Sequence, residues 1–106
     1  MDNKEFAKML EERTLKFSIE IIKLSISLPY TPEAIVIKNQ ITKSATSIGA
    51  NYREANWARS KKDFKNKIKI CESEASETNY WLEIIENMNW SEKTKLKILK
   101  KKQRNY

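Results

Sequence analysis

Residues 64–85 repeat apolar or small side chains at alternating spacings of four and three, and this repeat constrains the fold more than any other feature. The spacing places these side chains on one face of an α-helix, as in helices that pack together in bundles. The members of the repeat are Phe64, Ile68, Cys71, Ala75, Thr78, Leu82 and Ile85. A second apolar strip runs beside the first and comprises Ile70, Trp81, Ile84 and Met88. We therefore expect this helix to contact two neighbours.

The rest of the chain is also predicted to be helical. One Gly and two Pro among 106 residues are few turn-forming residues, which disfavours a sheet built from hairpins. Asp2, Thr31 and Ser60 stand in patterns typical of helix N-caps. We predict one domain over residues 1–106, an all-α, up-down-up-down four-helix bundle. Its helices are predicted at residues 3–28, 32–58, 61–89 and 92–104.

The chain lacks the side chains on which several kinds of chemistry depend. It has no His and a single Cys, which excludes a Cys/His zinc site, a His-activated nucleophile and an intrachain disulfide. We therefore expect a non-enzymatic protein without metal or cofactor, in a reducing compartment such as the cytoplasm. The most apolar run, residues 17–28, is interrupted by Glu20 and Lys23 and is too short to cross a bilayer, so no membrane partner is expected.

Positive charge is concentrated between the second and third predicted helices. The net charge is +7, and residues 53–69 hold seven Lys or Arg against two acids. Lysines near a helix N-terminus oppose the helix dipole, and bound phosphate would offset that cost. The candidate nucleic-acid-binding residues are Arg53, Arg59, Lys61, Lys62, Lys65 and Lys69. The alternative is a solvated face that only keeps a small bundle soluble.

A second basic segment forms the end of the chain. Residues 91–106 hold seven Lys or Arg against one Glu. Because the fourth helix runs antiparallel to the third, these cations are expected level with the acidic half of the third helix. The acids concerned are Glu74, Glu77, Glu83 and Glu86. The segment either neutralises these acids or serves as a binding arm, and the sequence leaves both interpretations open.

The second helix carries small side chains where large apolar ones would be expected. Ser44, Ala45 and Gly49 leave room for neighbouring helices to approach closely, which offsets the cost of Gly inside a helix. Asn51 falls on the same face, and a buried amide needs a hydrogen-bond partner. We therefore expect Asn51 to bond to a polar group of the first or third helix.

Several polar and aromatic residues are predicted to lie in the core or at an interface between subunits. Large aromatic side chains beside a helix seam are typical interface anchors, and acids next to Ser or Thr suit buried hydrogen bonds. Trp57 lies among cations, so stacking on nucleic-acid bases is its alternative role. The set comprises Asn51, Glu54, Trp57, Glu74, Glu77 and Trp81.

Part of this pattern resembles a known family. Ser47, Ile48, Asn51 and Glu54 on the second helix precede an Arg-Ser turn at residues 59–60, and the third helix places Ala75 between acids at 74 and 77. Over about residues 14–90 the chain is similar to the small four-helix-bundle proteins related to 23S rRNA intervening-sequence proteins. It departs from them at Ala55, where many relatives have Gly, and in its short fourth helix.

The resemblance implies a ring-shaped homopentamer. A related branch is the accessory variability determinant of diversity-generating retroelements, a basic pentameric barrel that binds a reverse transcriptase and nucleic acid. Two hypotheses follow. In the first, the oligomer binds RNA or DNA through its basic surface. In the second, it is an adaptor for a protein partner such as a reverse-transcriptase-like enzyme and does not bind nucleic acid itself.

Overall fold

The computed structural model describes residues 1–103, which form four α-helices. They are α1 (Asn3–Ser27), α2 (Pro32–Asn56), α3 (Lys61–Asn87) and α4 (Lys93–Gln103), and this part of the chain contains no strand. The predicted all-α fold is confirmed, and the predicted ends of α1, α2 and α3 lie within two residues of those observed. The predicted end of the fourth helix at residue 104 lies outside the described residues.

The N-caps that the sequence predicts start three of the helices. Asp2 Oδ1 accepts the Glu5 N–H at 2.7 Å, Thr31 Oγ1 accepts the Ala34 N–H at 3.2 Å, and Ser60 Oγ accepts the Asp63 N–H at 3.0 Å. Each bond satisfies one of the backbone donors that a helix start leaves without a partner.

The helices end where the backbone departs from helical geometry. Leu28, directly before Pro29, is extended, as expected of the residue that precedes a proline. After α3, Asn89 has a φ of 56°, a left-handed conformation that Asn tolerates better than most residues. The chain can therefore reverse there and return as α4.

The four helices occupy the corners of a square in chain order. α2 packs against α1 and α3, while α4 packs mainly against α3 and also touches α1. Within residues 1–103, the diagonal pairs α1/α3 and α2/α4 have no close backbone approach. The apolar core between them contains Phe17, Ile21, Leu24, Ile41, Ile48, Leu82, Ile85, Leu96 and Leu99.

Close approach of α2 to its neighbours is confirmed at its small residues. A Cβ added to Gly49 would lie 3.0 Å from Thr14 Oγ1 and 3.2 Å from Thr14 Cβ, so α1 leaves no room for a side chain there. On the other side of α2, the hydroxyls of Ser44 and Thr78 share a buried hydrogen bond of 2.8 Å. This bond joins α2 to α3 inside the core.

The predicted partner of Asn51 is wrong. Its Nδ2 donates at 2.8 Å to the carbonyl of Ser47, on its own helix, and the residue is half-buried. A side chain at the edge of a helix face reaches the carbonyl four residues back more easily than a group on another helix. Inside the core, Ser44 and Thr78 make a polar link between α2 and α3.

The fourth helix is much shorter than the other three. It has 11 residues, whereas α1 and α2 have 25 each and α3 has 27. It therefore covers only part of the cleft between α1 and α3. Phe64, a member of the repeat predicted to pack in the bundle, is 41% exposed, and Phe6 of α1 is 50% exposed, because α4 as described does not reach their level.

Candidate nucleic-acid interface

The predicted basic residues lie around the end of the bundle where α2 passes into α3. All six candidates, Arg53, Arg59, Lys61, Lys62, Lys65 and Lys69, are exposed. Within residues 1–103, none of the six forms an ion pair with an acid. The neighbouring Lys67, by contrast, pairs with Glu54 at 3.4 Å. The end of the bundle therefore presents uncompensated positive charge.

Three of the candidates share one cleft. Arg59, Lys61 and Lys65 line a shallow cleft of ≈ 510 Å³ beside the N-cap residue Ser60. The first turn of α3 places its backbone N–H groups at the same point. Cationic side chains and backbone donors together form an arrangement that suits a phosphate group.

The other candidates extend from this cleft in two directions. Lys62, Lys65 and Lys69 follow a spacing of three and four residues, so they share one exposed face of α3. Arg53 lies on α2, one turn before Trp57, which places both on one face. Trp57 is 85% exposed and lines a cleft formed with α1.

Sequence reasoning missed two cations on α1. Lys4 and Lys8 line the cleft that contains Trp57. Their spacing of four residues was visible in the sequence, but nothing there linked them to Trp57. Only the antiparallel pairing of α1 with α2 brings the start of one helix to the end of the other.

The predicted interface residues other than Trp57 belong to α2 and α3. Glu54 pairs with Lys67 across these helices, and Asn51 lies one turn earlier on α2. Trp81 is half-buried, and its Nε1 is buried without a hydrogen-bond partner among the described residues. The rings of Trp81 and Tyr80 pack edge to face, with 5.1 Å between their centroids.

Glu74 and Glu77 are near each other on α3. Partial burial raises the pKa of the Glu74 carboxyl, the Glu77 charge raises it further, and Lys43 of α2 opposes both effects. Glu74 is half-buried and Glu77 is exposed. No group of three or more His, Cys, Asp or Glu within residues 1–103 is arranged to hold a metal ion.

Two lysines of α4 pair with acids of other helices. Lys100 Nζ lies 3.4 Å from Glu86 Oε1, as the neutralising interpretation of the basic segment expects for that acid. Lys102 Nζ lies 2.8 Å from Glu20 Oε1 on α1, a partner that the sequence did not indicate. Lys93, Lys95 and Lys97 are exposed. Within residues 1–103, no helix combines the length and apolarity needed to cross a membrane.

Comparison with known proteins supports the resemblance seen in the sequence. The family described as 23S rRNA-intervening sequence protein matches residues 8–105. A crystal structure of a protein of unknown function from Bacteroides thetaiotaomicron, assigned to the S23 ribosomal protein family, is similar with a TM-score of 0.83. The two sequences are 35% identical, and the match covers 90% of this chain and 88% of the other. No curated protein matches this chain.

The family match spans most of α1 and the whole of α2, α3 and α4. The structural similarity covers the same four-helix arrangement. The chain therefore belongs to the 23S rRNA-intervening sequence protein family.

Proposed function

We propose that this protein self-associates and binds RNA or another nucleic acid through the basic end of the bundle. The observation that carries the proposal is the set of six exposed cations at the junction of α2 and α3. None of them has an acidic partner in the part of the chain that the structure describes. Exposed lysines also lie on α1 and α4, but this end is where they cluster around a helix N-terminus, since residues 53–69 hold seven Lys or Arg against two acids.

Phosphate is the ligand that this end suits best. Lys61, Lys62 and Lys65 lie in the first turns of α3, where a helix dipole disfavours positive charge. A bound phosphate would interact favourably with both the lysines and the N-terminal backbone donors. Recognition would follow charge and shape rather than base sequence, since the six cations contact phosphates more readily than base edges.

Self-association would add to the strength of such binding. α1 exposes an apolar stripe of Leu15, Ile19, Ile22 and Ile26, and α3 exposes the strip that contains Ile70 and Met88. These two faces belong to different helices, so contact between them joins copies head to tail, and a closed ring is the usual result. The number five rests on the resemblance to the family. A ring would gather several weak phosphate sites, which then act together through avidity.

The test is fluorescence anisotropy with a labelled, structured RNA at about 50 and about 200 mM salt. The family name makes a structured RNA a reasonable first probe. We expect binding at the lower salt that weakens steeply at the higher, because each phosphate contact releases a counterion. The slope of affinity against salt gives the number of phosphates contacted.

A charge-reversal pair locates the site. The triple change Lys61→Glu, Lys62→Glu and Lys65→Glu should weaken RNA binding by at least about tenfold and flatten its salt dependence. The matched control, Lys93→Glu, Lys95→Glu and Lys97→Glu, makes the same change in net charge at three exposed positions of α4. Equal weakening by both sets would contradict a site confined to the α2–α3 junction, because overall charge or the basic segment of α4 would then contribute as much.

Absence of binding at the lower salt would sink the nucleic-acid proposal. The adaptor hypothesis would then take its place, with a protein such as a reverse-transcriptase-like enzyme as the partner. In that case the cations serve solubility, and neither triple variant should alter capture of the partner.

A further inference from the structure

An apolar groove lies beside the position where α4 ends. It has a volume of ≈ 630 Å³ and runs between the first half of α1 and the first three turns of α3, with α2 as its floor. The apolar residues that line it include Phe6, Leu10, Ile48, Tyr52, Phe64 and Ile68. The thiol of Cys71 also lines this groove, and burial raises its pKa to about 11.

The groove lies between the same helix faces that α4 covers further along α1 and α3. Phe6 and Phe64 belong to the same helix faces that bury Phe17 and Leu82 further along α1 and α3. α4 covers those faces where Leu96 and Leu99 enter the core, and its described residues, 93–103, do not line the groove. Phe6 and Phe64 are therefore core-type residues that α4, as far as residue 103, does not cover.

The dimensions and charge of the groove specify what would fill it. From Asn3 to Thr14 it follows α1 for about 16 Å, the length of roughly three helical turns. Phe64 and Asn56 line both the groove and the basic cleft that contains Lys61 and Lys65. The end of the groove near the α2–α3 turn is therefore next to positive charge.

We propose that this groove binds an amphipathic helix of about 11 residues from a partner protein. The helix presents apolar side chains at intervals of three and four residues to Phe6, Leu10, Phe64 and Ile68. Its end near the α2–α3 turn carries Asp or Glu, which face Lys61 and Lys65. This inference goes beyond nucleic-acid binding, because it rests on the apolar side chains of the groove rather than on the cations alone. The stripe of Leu15, Ile19, Ile22 and Ile26 does not line the groove, so the groove is a surface separate from that stripe.

The experiment sorts a yeast-displayed library of helical peptides, each about 12 residues long, against the full chain. We expect enrichment of peptides with the apolar spacing and with acids concentrated at one end. Phe6→Asp and Phe64→Asp, at half-exposed positions, should each weaken the enriched peptides at least about tenfold. Ile98→Asp is the matched control, because Ile98 is 51% exposed on α4 and does not line the groove.

Two further measurements report on the site itself. Cys71 is the one cysteine of the chain, and because it is buried with a raised pKa its thiol should react slowly with a maleimide; at alkaline pH, a bound peptide should slow that reaction further. Lys65→Glu should remove the preference for acids at the end of the peptide while leaving the apolar preference in place. The Phe6→Asp variant should lose peptide binding but bind RNA as the parent chain does. This difference separates the peptide proposal from the nucleic-acid proposal.

The proposal is overturned if no such peptide is enriched, or if enriched peptides bind the groove variants and the Ile98→Asp control equally. A fall in the mass of the assembly with Phe6→Asp would also overturn it, because the groove would then be a contact between copies of this chain.

Discussion

Gly49 lies where α2 comes closest to α1, and it illustrates how one residue sets the distance between two helices. Replacing Gly by Ala inside a helix normally favours the helix by about 1 kcal/mol. Here the added methyl group would meet the Thr14 side chain at 3.0–3.2 Å. Thr14 is buried and its hydroxyl is bonded to the Leu10 carbonyl at 2.8 Å, so it cannot rotate away freely.

We therefore expect Gly49→Ala to lower the free energy of unfolding by about 1 kcal/mol, because overpacking outweighs the gain in helix propensity. Urea denaturation followed by circular dichroism would measure the loss. In a Thr14→Ala background the same change should cost at least about 0.5 kcal/mol less, since the nearest atom is gone. An increase in stability on Gly49→Ala alone would contradict this account of the close contact.

Glu74 makes stability depend on pH. The folded chain raises the pKa of this carboxyl above its ordinary value, first through partial burial and then through the charge of Glu77. Folding thus favours the protonated form, and the free energy of unfolding falls as the pH rises through the pKa. Glu74→Gln should therefore be more stable than the parent chain at pH 7, and the difference should shrink as the pH falls towards about 4.

Urea unfolding at both pH values would measure this difference. Glu72→Gln is the control, because it removes a carboxylate from an exposed position on the same helix. It should not reproduce the gain in stability at pH 7 that is expected for Glu74→Gln. A Glu74→Gln variant that is less stable than the parent at pH 7 would show that Glu74 is stabilised by its charge, against the expectation.

At the scale of the helices, local patterns in the sequence were sufficient to predict most of the fold. The caps at Asp2, Thr31 and Ser60 depend on residues within one turn, and all three form as predicted. The repeat along α3 likewise buries Cys71, Ala75, Thr78, Leu82 and Ile85. Each of these features depends on residues within one helix, which local cap patterns and hydrophobic periodicity report.

The features that sequence reasoning missed depend on which helices end beside one another. Phe6 and Phe64 have the spacing of core residues, and only the length of α4 leaves them exposed. The bond between Lys102 and Glu20 joins residues far apart in the chain, and the cleft of Trp57 needs lysines from α1. Periodicity along one helix cannot report contacts that are set by the relative lengths of different helices.

At the scale of the whole molecule, the single chain exposes more surface than its mass requires. A compact monomer of 12.5 kDa has an accessible surface of about 6,200 Å², whereas this chain exposes 7271 Å². Its extents of 44 × 25 × 17 Å describe a flat, elongated body. Part of the additional surface is the stripe of α1 and the strip of α3, and Trp81 of that strip has an Nε1 without a hydrogen-bond partner among residues 1–103. Contact with other copies would cover both faces.

A head-to-tail contact makes a prediction that a symmetric contact does not. Ile22→Asp spoils the face of α1 and Met88→Asp spoils the face of α3, so each variant alone should sediment as a monomer. Mixed in equal amounts, they should form a dimer and nothing larger, because one intact face remains on each variant and the two are complementary. Analytical ultracentrifugation measures all three masses, with Ile98→Asp as a control that keeps the mass of the parent assembly. If the mixture stays monomeric, the α1 and α3 faces do not bind each other, and the head-to-tail ring must be abandoned.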